Sequence, residues 1–93
     1  MRIIFDPEPR AAEDIFTAAD REKFFSTYDV VTWNGEDREA FYDRYLPTAD
    51  VVISQQPMEK TRLDQASKLR CIVNVETNFL PNVDYEACFH RGI

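Results

Sequence analysis

A chain of 93 residues has room for one small domain, burying about two-thirds of its unfolded surface. Hydrophobic content of 44% and aromatic content of 13% supply a core and exclude a disordered chain. A net charge of -6, with eight Arg and three Lys scattered along the chain, excludes the basic footprint that nucleic acid or an anionic membrane surface requires.

In chain order, short apolar runs alternate with longer amphipathic ones. Arg2-Ile-Ile-Phe5 predicts a first strand, ended by Asp6-Pro7-Glu8-Pro9, whose prolines block both ladder and helix. Ala11 to Phe25 predicts one helix, with Ala12, Ile15, Phe16 and Ala19 at helical spacing. Tyr28 to Trp33 predicts a second strand, closed by Asn34-Gly35. Asp37 to Leu46 predicts a second helix with Phe41, Tyr42, Tyr45 and Leu46 as its apolar stripe, and Pro47 stops it. Ala49 to Ile53 predicts a third strand, and Ser54 to Pro57 a loop. Lys60 to Ala66 predicts a short helix, capped either by a Thr61–Asp64 box or nearer Glu59. Leu69 to Val75 predicts a buried fourth strand, and Glu76 to Val83 a loop. Asp84 to Gly92 predicts a last helix, with Asp84 as its N-cap and Gly92 in the left-handed position after its end.

Strands separated by helices pair in parallel through right-handed crossovers. The expected fold is α/β: a flavodoxin-like three-layer α/β/α sandwich around a parallel sheet, in the order 2-1-3-4-5 of a doubly wound domain. Ile93 would open strand 5. The chain is therefore expected to be truncated before that strand, leaving apolar strand 4 as an edge that favours self-association.

Met1 to Phe5 is followed at once by Asp6, with no apolar segment of secretory length, and no run approaches a membrane span. The expectation is a cytoplasmic protein in which Cys71 and Cys88 are reduced, buried thiols. Two Cys with the single His90 match no zinc pattern.

Ligands of open α/β sheets bind beyond the carboxyl ends of the strands. That region offers Asp6–Pro9, Asn34–Glu36, Ser54–Pro57 and Glu76–Asn82. Asp6 with Glu8 reads as solvated carboxylates in a proline-stiffened loop, with a metal site as the alternative. Phe16, Phe24, Phe25, Trp33, Phe41 and Tyr45 read as packing. His90, near the end of the last helix, reads as a residue that favours the helix C-terminus through the dipole. The two glycines, Gly35 and Gly92, cannot build a phosphate-cradling loop. No catalytic constellation can be assembled.

The segment 49–93 resembles the N-terminal half of the D-isomer-specific 2-hydroxyacid dehydrogenases. The residues carrying the resemblance are Ala49-Asp-Val-Val-Ile53, Leu63 to Ile72, Asn82-Val-Asp84 and Glu86 to Ile93; the first half of the chain matches in element order only. The resemblance implies that residues 1–93 are part of a flavodoxin-like substrate-binding domain, inactive alone, with the NAD-binding domain absent. The cofactor, NAD or NADP, would belong to the full-length enzyme, with none bound by this stretch. A small 2-hydroxy or 2-oxo acid would be the substrate, and the catalytic Arg, Glu and His would have no counterpart here. Substrate-facing positions carried over are Ser54, Gln55 and Gln56 in one loop and Glu76, Thr77 and Asn78 in the other. Thr77 and Asn78 stand where the family holds the substrate carboxylate with backbone N–H groups. Glu76-Thr77-Asn78 replaces the family's Gly-x-Gly, and a carboxylate at Glu76 would repel an anionic substrate unless it turns away.

Two non-catalytic readings compete. A receiver-like module fits the rhythm of Ala49 to Met58, but Ser54 falls near where a phosphorylatable aspartate belongs. A stand-alone binding or oligomerisation domain of the same shape is the other.

Overall fold

The computed structural model describes residues 1–76 and 82–93. Its strands are β1 (Arg2–Asp6), β2 (Asp29–Thr32), β3 (Val51–Ser54) and β4 (Cys71–Asn74). Its helices are α1 (Ala12–Ile15), α2 (Ala18–Thr27), α3 (Arg38–Tyr45), α4 (Lys60–Gln65) and α5 (Tyr85–Arg91), with a 3-10 turn over Leu46–Thr48. The four strands form one parallel sheet in the order β2-β1-β3-β4, the doubly wound order expected.

β1 is central. Ile3, Ile4 and Phe5 are all buried because both faces of a parallel sheet are covered there. On one face Ile4 and Val52 join Phe41, Tyr42 and Leu46 of the α3 segment, Leu63 of α4 and Cys88 of α5 in the main core. On the other, Phe5 packs against Phe16, Phe24 and Phe25, with ring centroids 5.6 to 6.0 Å apart. Alternation along one strand thus feeds two layers. Each fully buried aromatic or aliphatic side chain contributes about 2 kcal/mol.

The expected helix over 11–25 is two helices. Phe16 is extended (φ -116, ψ 147), and Thr17 restarts the helix as N-cap, accepting the Asp20 N–H at 3.2 Å. A threonine with an acid three residues on caps better than it propagates. The break turns Phe16 onto Phe5 while leaving Ile15 and Ala19 exposed, so the continuous apolar stripe expected across the helix does not form.

α3 starts on Asp37, whose carboxylate accepts from Glu39 N–H. It ends in the 3-10 turn that contains Pro47. α4 begins after Glu59, and Asp64 pairs with Lys60 at 3.1 Å instead of boxing Thr61. α5 has the expected ends: Asp84 accepts the Ala87 N–H at 3.0 Å, and Gly92 takes φ 72. β4 corrects two expectations. It spans four residues where seven were expected, and it is half exposed, with Cys71 open to solvent; Cys88 is buried. The cause is position: among the described residues β4 is one of the two edge strands of the sheet.

Candidate functional site

The strand order reverses between β1 and β3, so the crevice of a doubly wound sheet opens at their carboxyl ends. Here it is filled by side chains. Asp6, the last residue of β1, is 1% exposed. Arg38 grips it in two parallel bonds, Nε to Oδ2 at 2.9 Å and Nη2 to Oδ1 at 3.0 Å, the strong planar geometry of an arginine–carboxylate pair. Tyr42, one turn further along α3, donates its hydroxyl to Asp6 Oδ2 at 2.8 Å and sits 3.0 Å from Ser54 Oγ at the end of β3. Ser54 Oγ in turn accepts the Gln56 N–H at 2.9 Å. The chain of contacts Arg38–Asp6–Tyr42–Ser54–Gln56 ties α3, β1, β3 and the loop after β3 into one unit.

The network is held from both sides. The Arg38 guanidinium lies 3.8 Å from the Trp33 ring centroid, and Trp33 donates its indole N–H to Glu36 O at 2.7 Å. Arg62, 7% exposed, lies 4.2 Å from the Tyr42 ring centroid and donates to Pro57 O at 2.7 Å and to Glu39 Oε1 at 2.6 Å. The hydrogen bond to Asp6 raises the already high pKa of Arg38. Burial first, and the nearby Asp6 charge next, push the Tyr42 phenol well above its ordinary value, while the Ser54 hydrogen bond opposes them. Neither side chain titrates near neutrality.

Asp6 therefore departs from both of its expected readings. It is not solvated, and its two oxygens are occupied by Arg38 and Tyr42. Glu8 is the half-exposed member, 3.3 Å from Arg38 Nη2. Among the described residues no group of three His, Cys, Asp or Glu could hold a metal ion.

Beyond the network, the loops after β3 and β4 are stitched together. Met58 N–H donates to Asn82 O at 2.6 Å and Asp84 N–H to Met58 O at 3.0 Å, forming the Met58–Val83 bridge. Asn82 Nδ2 reaches Asn74 Oδ1 at 3.0 Å and Gln56 O at 3.4 Å. Gln55 Oε1 accepts the Glu76 N–H at 3.0 Å, leaving Gln55 Nε2 buried and without a partner among the described residues.

The expected site residues divide accordingly. Ser54 lies beneath the cleft, bonded to Tyr42. Gln55, Gln56 and Glu76 come together at the carboxyl ends of β3 and β4. Thr77 and Asn78 lie outside the described residues. The Glu76 carboxylate turns to Arg10, at 3.0 Å from Nε and 3.4 Å from Nη2, so its charge is paired across the loops. His90 is exposed in the last turn of α5, which starts beside the cleft and runs back toward the amino ends of the strands. Sequence reading missed Arg38 and Tyr42 as site residues. Their i, i+4 spacing on one helix face, opposite a lone acid at a strand end, was the available signal.

Among the described residues no helix is long and apolar enough to cross a membrane. No protein-family model matches the chain, and no curated protein matches it. Among solved structures it is similar to the crystal structure of a phosphoglycerate oxidoreductase from Rhizobium etli. The two are 37% identical with a TM-score of 0.84 over 98% of this chain. The chain spans 28% of the length of that oxidoreductase.

Proposed function

We propose that these 93 residues are part of the substrate-binding domain of an NAD- or NADP-dependent D-2-hydroxyacid dehydrogenase, inactive by themselves. The observation that carries the reading is the match to an oxidoreductase acting on phosphoglycerate, at 37% identity across 98% of this chain. In this reading the loops 54–58 and 76–78 face a small 2-hydroxy or 2-oxo acid. Backbone N–H groups of the second loop hold its carboxylate, and Gln55 and Gln56 line the approach.

The division of labour follows from chemistry. A dinucleotide needs a glycine-rich turn whose N–H groups approach its phosphates. The first strand-to-helix turn of this chain is Asp6-Pro7-Glu8-Pro9-Arg10, in which two prolines lack the N–H and no glycine lets the backbone approach a phosphate. The residues present do not fit the cofactor, so the proposal places it on other polypeptide. They do fit a role in holding an acid. Arg10 neutralises Glu76, and the buried network fixes the loop through Ser54 and Gln56.

The test is a titration of the isotopically labelled chain with glycerate and its 2-oxo counterpart, read by backbone amide shifts. Shifts concentrated at Gln55, Gln56 and Glu76, with millimolar affinity, are expected. Shifts absent from these loops, or centred elsewhere, contradict the proposal.

A further inference from the structure

The Arg10–Glu76 pair spans the mouth of the crevice. Arg10 stands in the loop after β1 and Glu76 just past β4, and β3 lies between those strands in the sheet. The pair therefore crosses the place where the chain leaves β3. Both of its ends are fixed. Arg10 donates its N–H to the Pro7 carbonyl at 2.9 Å, closing a proline-stiffened turn. Glu76 donates its N–H to Gln55 Oε1 at 3.0 Å. The guanidinium meets both carboxylate oxygens, Nε to Oε1 at 3.0 Å and Nη2 to Oε2 at 3.4 Å, so its fork is used. Asp14, whose carboxylate accepts the Ala11 N–H at 2.9 Å, adds a second negative charge to the surroundings of Arg10. The cations at the helix starts beside the crevice are held in the same way. Arg38 of α3 binds Asp6 and Glu8, and in α4 Arg62 binds Glu39 and Lys60 binds Asp64. Residues 77–81 contain neither Lys nor Arg.

We propose that the Arg10–Glu76 pair is a specificity device: it admits a 2-hydroxy or 2-oxo acid whose carboxylate is its only anionic group, and turns away an acid that also carries a phosphate ester. The inference rests on the acid site proposed above. There the substrate carboxylate takes backbone N–H groups of the second loop, next to Glu76 in the chain. A three-carbon acid is shorter than an arginine side chain, so its third carbon stays close to the pair. A phosphate at that carbon needs a cation with free donors. Arg10 stands at the mouth of the crevice, but Glu76 already occupies its fork. A dianion approaching Arg10 meets the Glu76 carboxylate as well, and like charges brought together across an interface oppose binding. A hydroxyl or a hydrogen at the same carbon brings no charge and meets no such opposition. Glu76 thus acts on selectivity more than on stability, because a pair this exposed, with the Arg10 side chain 56% open to solvent, adds little to the fold.

The test compares D-glycerate with 3-phospho-D-glycerate, each titrated into the 93-residue chain at fixed ionic strength and read by the amide shifts of Gln55, Gln56 and Glu76. The ratio of the two affinities is the readout, since general loosening of the loops moves both together. The native chain is expected to bind glycerate about tenfold more tightly than phosphoglycerate. Glu76→Gln is expected to free Arg10 and to bring phosphoglycerate level with glycerate or ahead of it. Arg10→Glu with Glu76→Arg restores the pair with its charges exchanged and is expected to recover the native preference. Circular dichroism confirms that each variant is folded. Phosphoglycerate bound as tightly as glycerate by the native chain overturns the specificity device and leaves the acid site standing. A ratio unchanged by Glu76→Gln, or not recovered by the exchanged pair, does the same. Loop shifts with neither acid overturn the site and the device together.

Discussion

Arg38 and Asp6 are 32 residues apart in sequence and meet through two hydrogen bonds, at 2.9 and 3.0 Å, with the carboxylate 1% exposed. Taking that carboxylate out of water is costly, and only a partner of matching shape and charge offsets the cost. Removing Arg38 while keeping Asp6 leaves a buried charge unpaired. Arg38→Met is expected to destabilise the fold by about 3 kcal/mol, and Arg38→Lys, which keeps the charge and loses the fork, by less. Denaturant midpoints of the two variants check the order. Equal losses would show that the fork geometry, and not the charge by itself, carries the interaction.

Tyr42 bridges Asp6 and Ser54 through one hydroxyl. Tyr42→Phe removes both bonds and is expected to cost about 1.5 to 3 kcal/mol, the usual range for a bond to a charged partner. Burial also raises the phenol above its ordinary value of 10.0 in the folded state. The sign follows: below pH 10 both states hold the proton, and above it the unfolded state ionises first. The stability that Tyr42 contributes is therefore complete below about pH 10 and falls as pH rises further. Native and Tyr42→Phe chains are expected to converge in stability at alkaline pH. A gap that stays constant from pH 8 to pH 11 would place the phenol in water.

Gln55 links the two loops of the candidate site by accepting the Glu76 N–H. Gln55→Ala is expected to speed hydrogen exchange at Glu76 severalfold and to weaken acid binding, while costing about 1 kcal/mol of stability. Glu76→Gln is expected to act in the other direction on binding. It removes a carboxylate from the loop and frees Arg10, so an anionic acid should bind more tightly, with little change in melting temperature because the Arg10 pair is exposed. Unchanged binding in both variants would move the substrate away from these loops.

Thr17 restarts the helical segment after Phe16. Thr17→Ala removes the bond to the Asp20 N–H and is expected to cost about 1 kcal/mol. Near-ultraviolet circular dichroism should report loosened Phe packing around Phe5. A neutral substitution would mean that the ring cluster, not the cap, sets the break.

The order of elements was legible because β-branched runs alternate with helical spacing, and because Asp84 and Gly92 mark the ends of α5 by local chemistry. The break at Phe16 was legible in part, since Thr17 and Asp20 carry a capping pattern inside the expected helix. The burial of Asp6 was not, because its partners Arg38 and Tyr42 meet it only after the chain folds and no local pattern encodes the pairing. Cys71 looked buried because its neighbours Ile72 and Val73 are apolar; its exposure is set by the place of β4 at the edge of the sheet among the described residues, which no local pattern encodes. Within the candidate site, the convergence of Gln55, Gln56 and Glu76 follows from strand order, whereas the turning of Glu76 toward Arg10 depends on a loop 66 residues away.

The central proposal is that this chain is the substrate-holding part of a hydroxyacid dehydrogenase, and the most direct measurement is the nucleotide sequence following codon 93. The account predicts an open frame that continues with a strand, a crossover helix and a Gly-x-Gly-x-x-Gly turn after a further strand, then Arg, Glu and His downstream. A stop codon with no such frame in any register would contradict it and leave a binding or assembly role for the chain alone.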